Sequence, residues 1–178
     1  MFRYRITKYD PKFRDISGHY LKNTWTSFSD IGKTYEGKKA TVSSYLKIEK
    51  MYIDAIITIL KFYNVSNFKI CDLELYSSVE KINNFLKTKE LKLSSQDIVL
   101  INSLEDNKTY LISELEKIIT LILRECFWCR LVSESPLCII EFGYDLYVYI
   151  SLNIQIDQNI IANFKEKGIY IECVMDFT

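Results

Sequence analysis

From residue 42 to residue 63, Tyr45, Ile48, Tyr52, Ala55, Ile56, Ile59 and Tyr63 recur at helical spacing, while Lys47, Glu49, Lys50 and Asp54 fall largely on the other side. Asn64 is placed to stop this helix. An apolar stripe of this length has to be buried against a second layer. The last third of the chain supplies strand patterns for that layer. Residues 127–132 and 137–142 read as strands around the turn-forming Ser133-Glu134-Ser135-Pro136. Gly143 then marks a hairpin turn or a bulge before a strand over 144–151.

Other segments fit the same plan. Residues 2–8 alternate as a strand, with Phe2, Tyr4 and Ile6 on one face and Arg3, Arg5 and Thr7 on the other, until Asp10-Pro11 breaks it. Residues 68–75 predict a strand with Cys71, Leu73 and Leu75 on one side and Asp72 and Glu74 opposite. Ser77-x-x-Glu80 reads as a capping box for a helix over about 79–89, and 95–104 as a helical turn. A second strong helix is expected over 109–125, striped by Leu111, Leu115, Ile118, Ile119 and Ile122. A last helix over about 155–167 stops at Gly168 and precedes a strand over 169–175. Residues 10–40 are the least regular, although Trp25, Phe28 and Ile31 predict that they pack. The expected fold is α+β, an antiparallel or mixed sheet packed against helices on one face, in a single domain covering 1–178. With 48% hydrophobic residues, 178 residues can build a core without disulfides or metal.

Composition narrows the function. Lys+Arg and Asp+Glu both total 23, and the pI is near 6.6, which argues against a generic nucleic-acid binder. No apolar run is long enough to span a membrane, and the alternating Met1-Phe2-Arg3-Tyr4-Arg5-Ile6 does not resemble a signal peptide, so a cytoplasmic location is expected. The single histidine, His19, lies beside Gly18 in an irregular stretch and supports neither a nucleophilic relay nor a His-rich metal site. Cys126-Phe127-Trp128-Cys129 is formally a CxxC, but it follows a helix instead of opening one, and the other cysteines stand singly on strands. All five cysteines are read as reduced, and no cofactor or metal is expected.

Acidic residues offer the remaining chemistry. Asp72 with Glu74, or Glu141 with Asp145 across a hairpin, could work as carboxylate pairs in an apolar cleft. Ser43-Ser44 and Ser94-Ser95 are read as helix caps. Over 144–151, Leu146, Val148 and Ile150 are expected on one face and Asp145, Tyr147 and Tyr149 on the other. Together with Arg3, Arg5, Asp72 and Glu74, that second face is either a solvated surface of cross-strand ion pairs or a protein interface anchored by tyrosines.

Four segments resemble a family of small bacterial immunity proteins encoded beside polymorphic or contact-dependent toxins. They are Arg5-Ile6-Thr7-Lys8-Tyr9-Asp10-Pro11-Lys12-Phe13-Arg14, Trp25-Thr26-Ser27-Phe28-Ser29-Asp30-Ile31-Gly32, Phe127-Trp128-Cys129 and Phe142-Gly143-Tyr144-Asp145-Leu146-Tyr147-Val148-Tyr149-Ile150. The chain departs from the family at Glu141, where a histidine is expected. The resemblance implies a protein without catalysis that neutralises a cognate toxin, a nuclease, by occluding it over a specific interface of about 800 Å² per partner. A basic nuclease would be met by Asp72, Glu74 and Asp145, with Glu141, Tyr144, Tyr147, Tyr149, Trp25 and Asp30 as further contacts or framework. Apart from the resemblance, the alternatives are a small-ligand binder or hydrolase using a carboxylate pair, or a non-enzymatic adaptor.

Overall fold

The computed structural model describes residues 1–174; residue 175 of the expected last strand lies outside them. The architecture is α+β. Seven antiparallel strands form the main sheet: β1 (Phe2–Thr7), β4 (Asn67–Glu74), β5 (Thr109–Leu111), β6 (Trp128–Glu134), β7 (Leu137–Phe142), β8 (Val148–Leu152) and β9 (Tyr170–Cys173). Their spatial order is β5-β4-β6-β7-β8-β1-β9. A two-residue hairpin, β2 (Thr34–Tyr35) and β3 (Lys38–Lys39), sits apart in the irregular segment.

The helices are α1 (Val42–Phe62), α2 (Val79–Lys87), α3 (Ser95–Ser103), α4 (Ile112–Leu123) and α5 (Gln158–Glu166). Tyr52, Ile56 and Ile59 of α1 join Ile118 and Ile119 of α4 and the inward residues Ile6, Leu131, Ile140 and Ile150 in one connected apolar cluster. Each large side chain buried there stabilises the fold by about 1.5–3 kcal/mol. Thr41 caps α1 reciprocally with Ser44, and Asn64 ends it in the left-handed conformation expected of a stop.

Several expectations are corrected. Glu49 is not on the solvent side of α1. It is buried, and its carboxylate takes two hydrogen bonds from Arg124, at 2.8 and 2.7 Å. The segment 109–111 is an edge strand, so the helix starts at Ile112 and Leu111 is exposed. Helix α2 is capped by Ser78, whose hydroxyl accepts from the Lys81 amide, and not by Ser77. Of the proposed serine caps, Ser94 is confirmed, in a box with Asp97, whereas Ser43 lies inside α1. Segment 95–103 is a full helix.

Two corrections reshape the functional surface. In β4 the core residues are Phe68 and Ile70, and the ladder to β6 shifts by one residue between Cys71 and Glu74. Asp72, with φ 56°, is the extra residue of this bulge. The bulge leaves Cys71 and Glu74 opposite Arg130 and Trp128 respectively. In the C-terminal half, residues 143–147 form a turn, and β8 begins only at Val148. Asp145 and Leu146 both take left-handed backbone angles, φ 58° and 56°. The alternation expected from residue 144 therefore holds only from Val148 onward.

Candidate functional site

At one end of the sheet, β4 finishes, β6 starts, β7 finishes and β8 starts. The loops at these ends enclose a groove of about 760 Å³. Its walls come from the 143–147 turn, the 26–29 loop, the link between α4 and β6, and Glu74 with Tyr76 after the bulge. Among the described residues the lining carries three carboxylates, those of Glu74, Glu125 and Asp145, and no Lys, Arg or His. Trp128, Tyr144 and Tyr147 are among its aromatic lining residues, the Tyr147 ring also packing against Tyr9, Arg5 and Arg14.

The 143–147 turn is held from below. The Tyr9 hydroxyl donates to the Asp145 carbonyl at 2.7 Å, and the Tyr52 hydroxyl donates to the Leu146 carbonyl at 2.6 Å. The turn is closed by Gly143 N–H to the Tyr147 carbonyl, at 2.7 Å. Two consecutive left-handed non-glycine residues are unfavourable on their own, and they persist where surrounding bonds over-determine them. Burial pushes both tyrosine hydroxyls well above their ordinary pKa, so they remain protonated donors. The result is a rigid wall that leaves Tyr144 93% exposed at the rim.

The 26–29 loop is tied down as firmly. Asp30 is buried; its carboxylate accepts from the Thr26 amide at 2.8 Å and pairs with Lys33 at 2.8 Å. Burial opposes its charge, but Lys33 and the Thr26 amide outweigh burial and hold the carboxyl below its usual range. Trp25 packs on Tyr45, with ring centroids 5.6 Å apart, and receives the Lys8 ammonium 3.9 Å over its own ring. Burial lowers the Lys8 pKa to about 8, against the pull of Asp30. Glu125, left-handed at φ 59° just past α4, accepts the Ser29 amide at 3.2 Å and joins this loop to the helix end.

The sequence-derived candidates thus separate into three places. Glu74, Tyr144, Asp145 and Tyr147 meet in the groove. Trp25 and Asp30 support its wall. Asp72, Glu141 and Tyr149 lie on the sheet face away from the helices, where Asp72 pairs with Arg130, and Glu141 pairs with Arg3 at 3.2 Å. In each candidate carboxylate pair, one member is engaged by an arginine of the chain. Asp72 is turned to Arg130 by the bulge, while Glu74 lines the groove; Glu141 faces Arg3, while Asp145 lies in the turn. Sequence reasoning missed Tyr76, Glu125 and Trp128. Trp128 stood in a segment already singled out; the other two carry no signal beyond their position just after a strand and a helix.

Comparison with protein-family models, curated proteins and solved structures gave no match.

The remaining chemistry is sparse. Among the described residues no group of three or more His, Cys, Asp or Glu is placed to hold a metal ion. Cys126 and Cys129 are both buried, and burial pushes each thiol up to about 12, as it does Cys138. His19 sits in an exposed loop 3.3 Å from Asp15 and does not line the groove. No helix among the described residues is long and apolar enough to cross a membrane.

Proposed function

We propose that this chain is a bacterial immunity protein, acting in the cytoplasm, that neutralises a cognate toxin by docking over it and has no chemistry of its own. The observation that carries this reading is the groove: exposed Tyr144 and Tyr76 beside three carboxylates, with no cation in the lining. Aromatic residues are frequent interface anchors because they bury much area at modest entropic cost. Complementary charge speeds association and selects the partner. A nuclease has to hold a polyanion, so its working face is basic, and an acidic groove matches it. We read residues 5–14, 25–32, 127–129 and 142–150 as resembling immunity proteins, and that reading points to the same partner class.

The test is co-expression with the C-terminal domain encoded by the upstream neighbouring gene. Cell survival with a co-purifying complex is expected. Cell death despite folded, abundant chain overturns cognate immunity.

A further inference from the structure

On the sheet face away from the helices, Arg3 and Arg5 are each held between a carboxylate and an aromatic ring, while Arg130 is held by Asp72 alone among the described residues. Glu141 and Tyr149 stand directly opposite each other on β7 and β8. Arg3 lies across this pair, 3.2 Å from the Glu141 carboxylate and 4.7 Å over the Tyr149 ring. Arg5 is held between Glu172, at 3.0 Å, and the face of Tyr147, at 5.7 Å. A guanidinium suits such couples because it binds a carboxylate through its fork while stacking its plane on an aromatic ring.

The same couple occurs once more, at the groove. Glu74 and Trp128 stand directly opposite each other on β4 and β6, as an acid and an aromatic ring on the same sheet face. The bulge at Asp72 creates this register, because without the extra residue a different side chain would oppose Trp128. Trp128 is fixed by its indole N–H, which donates to the Phe142 carbonyl at 2.6 Å. No ion pair engages Glu74 among the described residues, and no arginine of this chain lines the groove. Asp145 and Tyr144 stand in the same groove, on the tyrosine-clamped turn.

We infer that the Glu74–Trp128 couple is an arginine-accepting site, filled by an arginine side chain that the toxin inserts into the groove. The carboxylates of Glu74 and Asp145 take the guanidinium N–H groups, and the Trp128 ring takes its plane. The remaining volume accommodates the flanking residues of the inserted segment. This inference rests on the docking role proposed above for the groove, and it names the group the partner must bring.

The test needs no toxin. The whole chain is titrated with acetyl-Gly-Arg-Gly-amide, and the citrulline peptide, of nearly the same shape but uncharged, serves as control. Amide and indole resonances of the protein are followed by NMR. The arginine peptide is expected to shift the Trp128 indole and Tyr144 amide signals saturably, in the millimolar range. The citrulline peptide and Glu74→Gln should each weaken binding at least about fivefold. Asp145→Asn, a second variant on an exposed turn, should weaken it too, while Glu166→Gln on α5 should not. Equal binding of the citrulline peptide, full binding by folded Glu74→Gln, or no shift at the groove overturns the inference. If the peptide binds but the toxin is not neutralised, the arginine site stands and immunity falls; the reverse result removes the arginine site alone.

Discussion

Tyr52 reaches from the buried middle of α1 to the end of the sheet, where its hydroxyl donates to the Leu146 carbonyl at 2.6 Å and accepts the Lys8 amide at 2.8 Å. One phenol thus connects the longest helix, the first strand and the turn that walls the groove. Tyr52→Phe removes the oxygen and leaves a buried carbonyl and amide without it, so it should cost about 1–3 kcal/mol in urea unfolding. Amide exchange at Gly143 and Tyr147 should accelerate more than exchange in β7. An unchanged midpoint and unchanged exchange would mean that the turn holds its left-handed residues without Tyr52.

The buried Glu49–Arg124 pair joins α1 to the end of α4 through two short hydrogen bonds. Glu49→Leu or Arg124→Leu alone should destabilise by about 3–5 kcal/mol, since each strands a desolvated charge. The double variant should recover most of that loss, because the cost lies in the unpaired charge. A double-mutant cycle read by chemical unfolding decides it, and strictly additive losses would count against the pair as the cause.

Cys126, Cys129 and Cys138 have thiols pushed up to about 12 by burial, against about 8.5 in an unfolded chain. Between these values the unfolded chain has lost protons that the folded chain keeps. Their stabilising contribution is therefore complete below about pH 8.5 and is lost as pH rises toward 12. Lys8, lowered by burial to about 8, acts in the opposite sense between about pH 8 and 10.4, but as a single group. Unfolding midpoints should accordingly fall from pH 8.5 upward. At neutral pH a thiol reagent should label exposed Cys173 first and half-buried Cys71 more slowly, with the three buried thiols reacting only on unfolding.

Charge reversal in the groove should act on association. Asp145→Lys is expected to slow binding to the toxin roughly tenfold and to flatten its dependence on salt, and to lose some stability because lysine tolerates the left-handed backbone less well than aspartate; Asp145→Asn, which tolerates it, should slow binding by less. Glu166→Lys, distant on α5, should leave the rate unchanged. Stopped-flow mixing at two ionic strengths measures both.

The long helix and most strands were legible because their periodicity reflects one large buried face. Tyr45, Tyr52 and Ile56 are buried as read, as are Ile6 and Ile150. Misreadings arose where the backbone leaves the regular path without changing the alternation of side-chain types. Asp72 and Asp145 look like ordinary outward strand residues, yet each has a left-handed backbone, which aspartate tolerates better than most residues. Glu49 was misplaced because its partner Arg124 lies 75 residues away, beyond any local pattern. The groove was half legible. Its tyrosine and acid on the turn stood out, while Glu125 and Tyr76 enter only because separate loops converge.

The strand order carries a consequence for synthesis. Residues 2–7 lie between β8 and β9, so among the described residues both hydrogen-bonding edges of this strand find their ladder partners within residues 148–174. On a ribosome the segment waits, unzipped, until nearly all of the described chain has been made. Long-range pairings of this kind close late and slowly. Arg3 and Arg5, alternating with Phe2, Tyr4 and Ile6, place charge along an edge that would otherwise be free to recruit a neighbouring nascent chain.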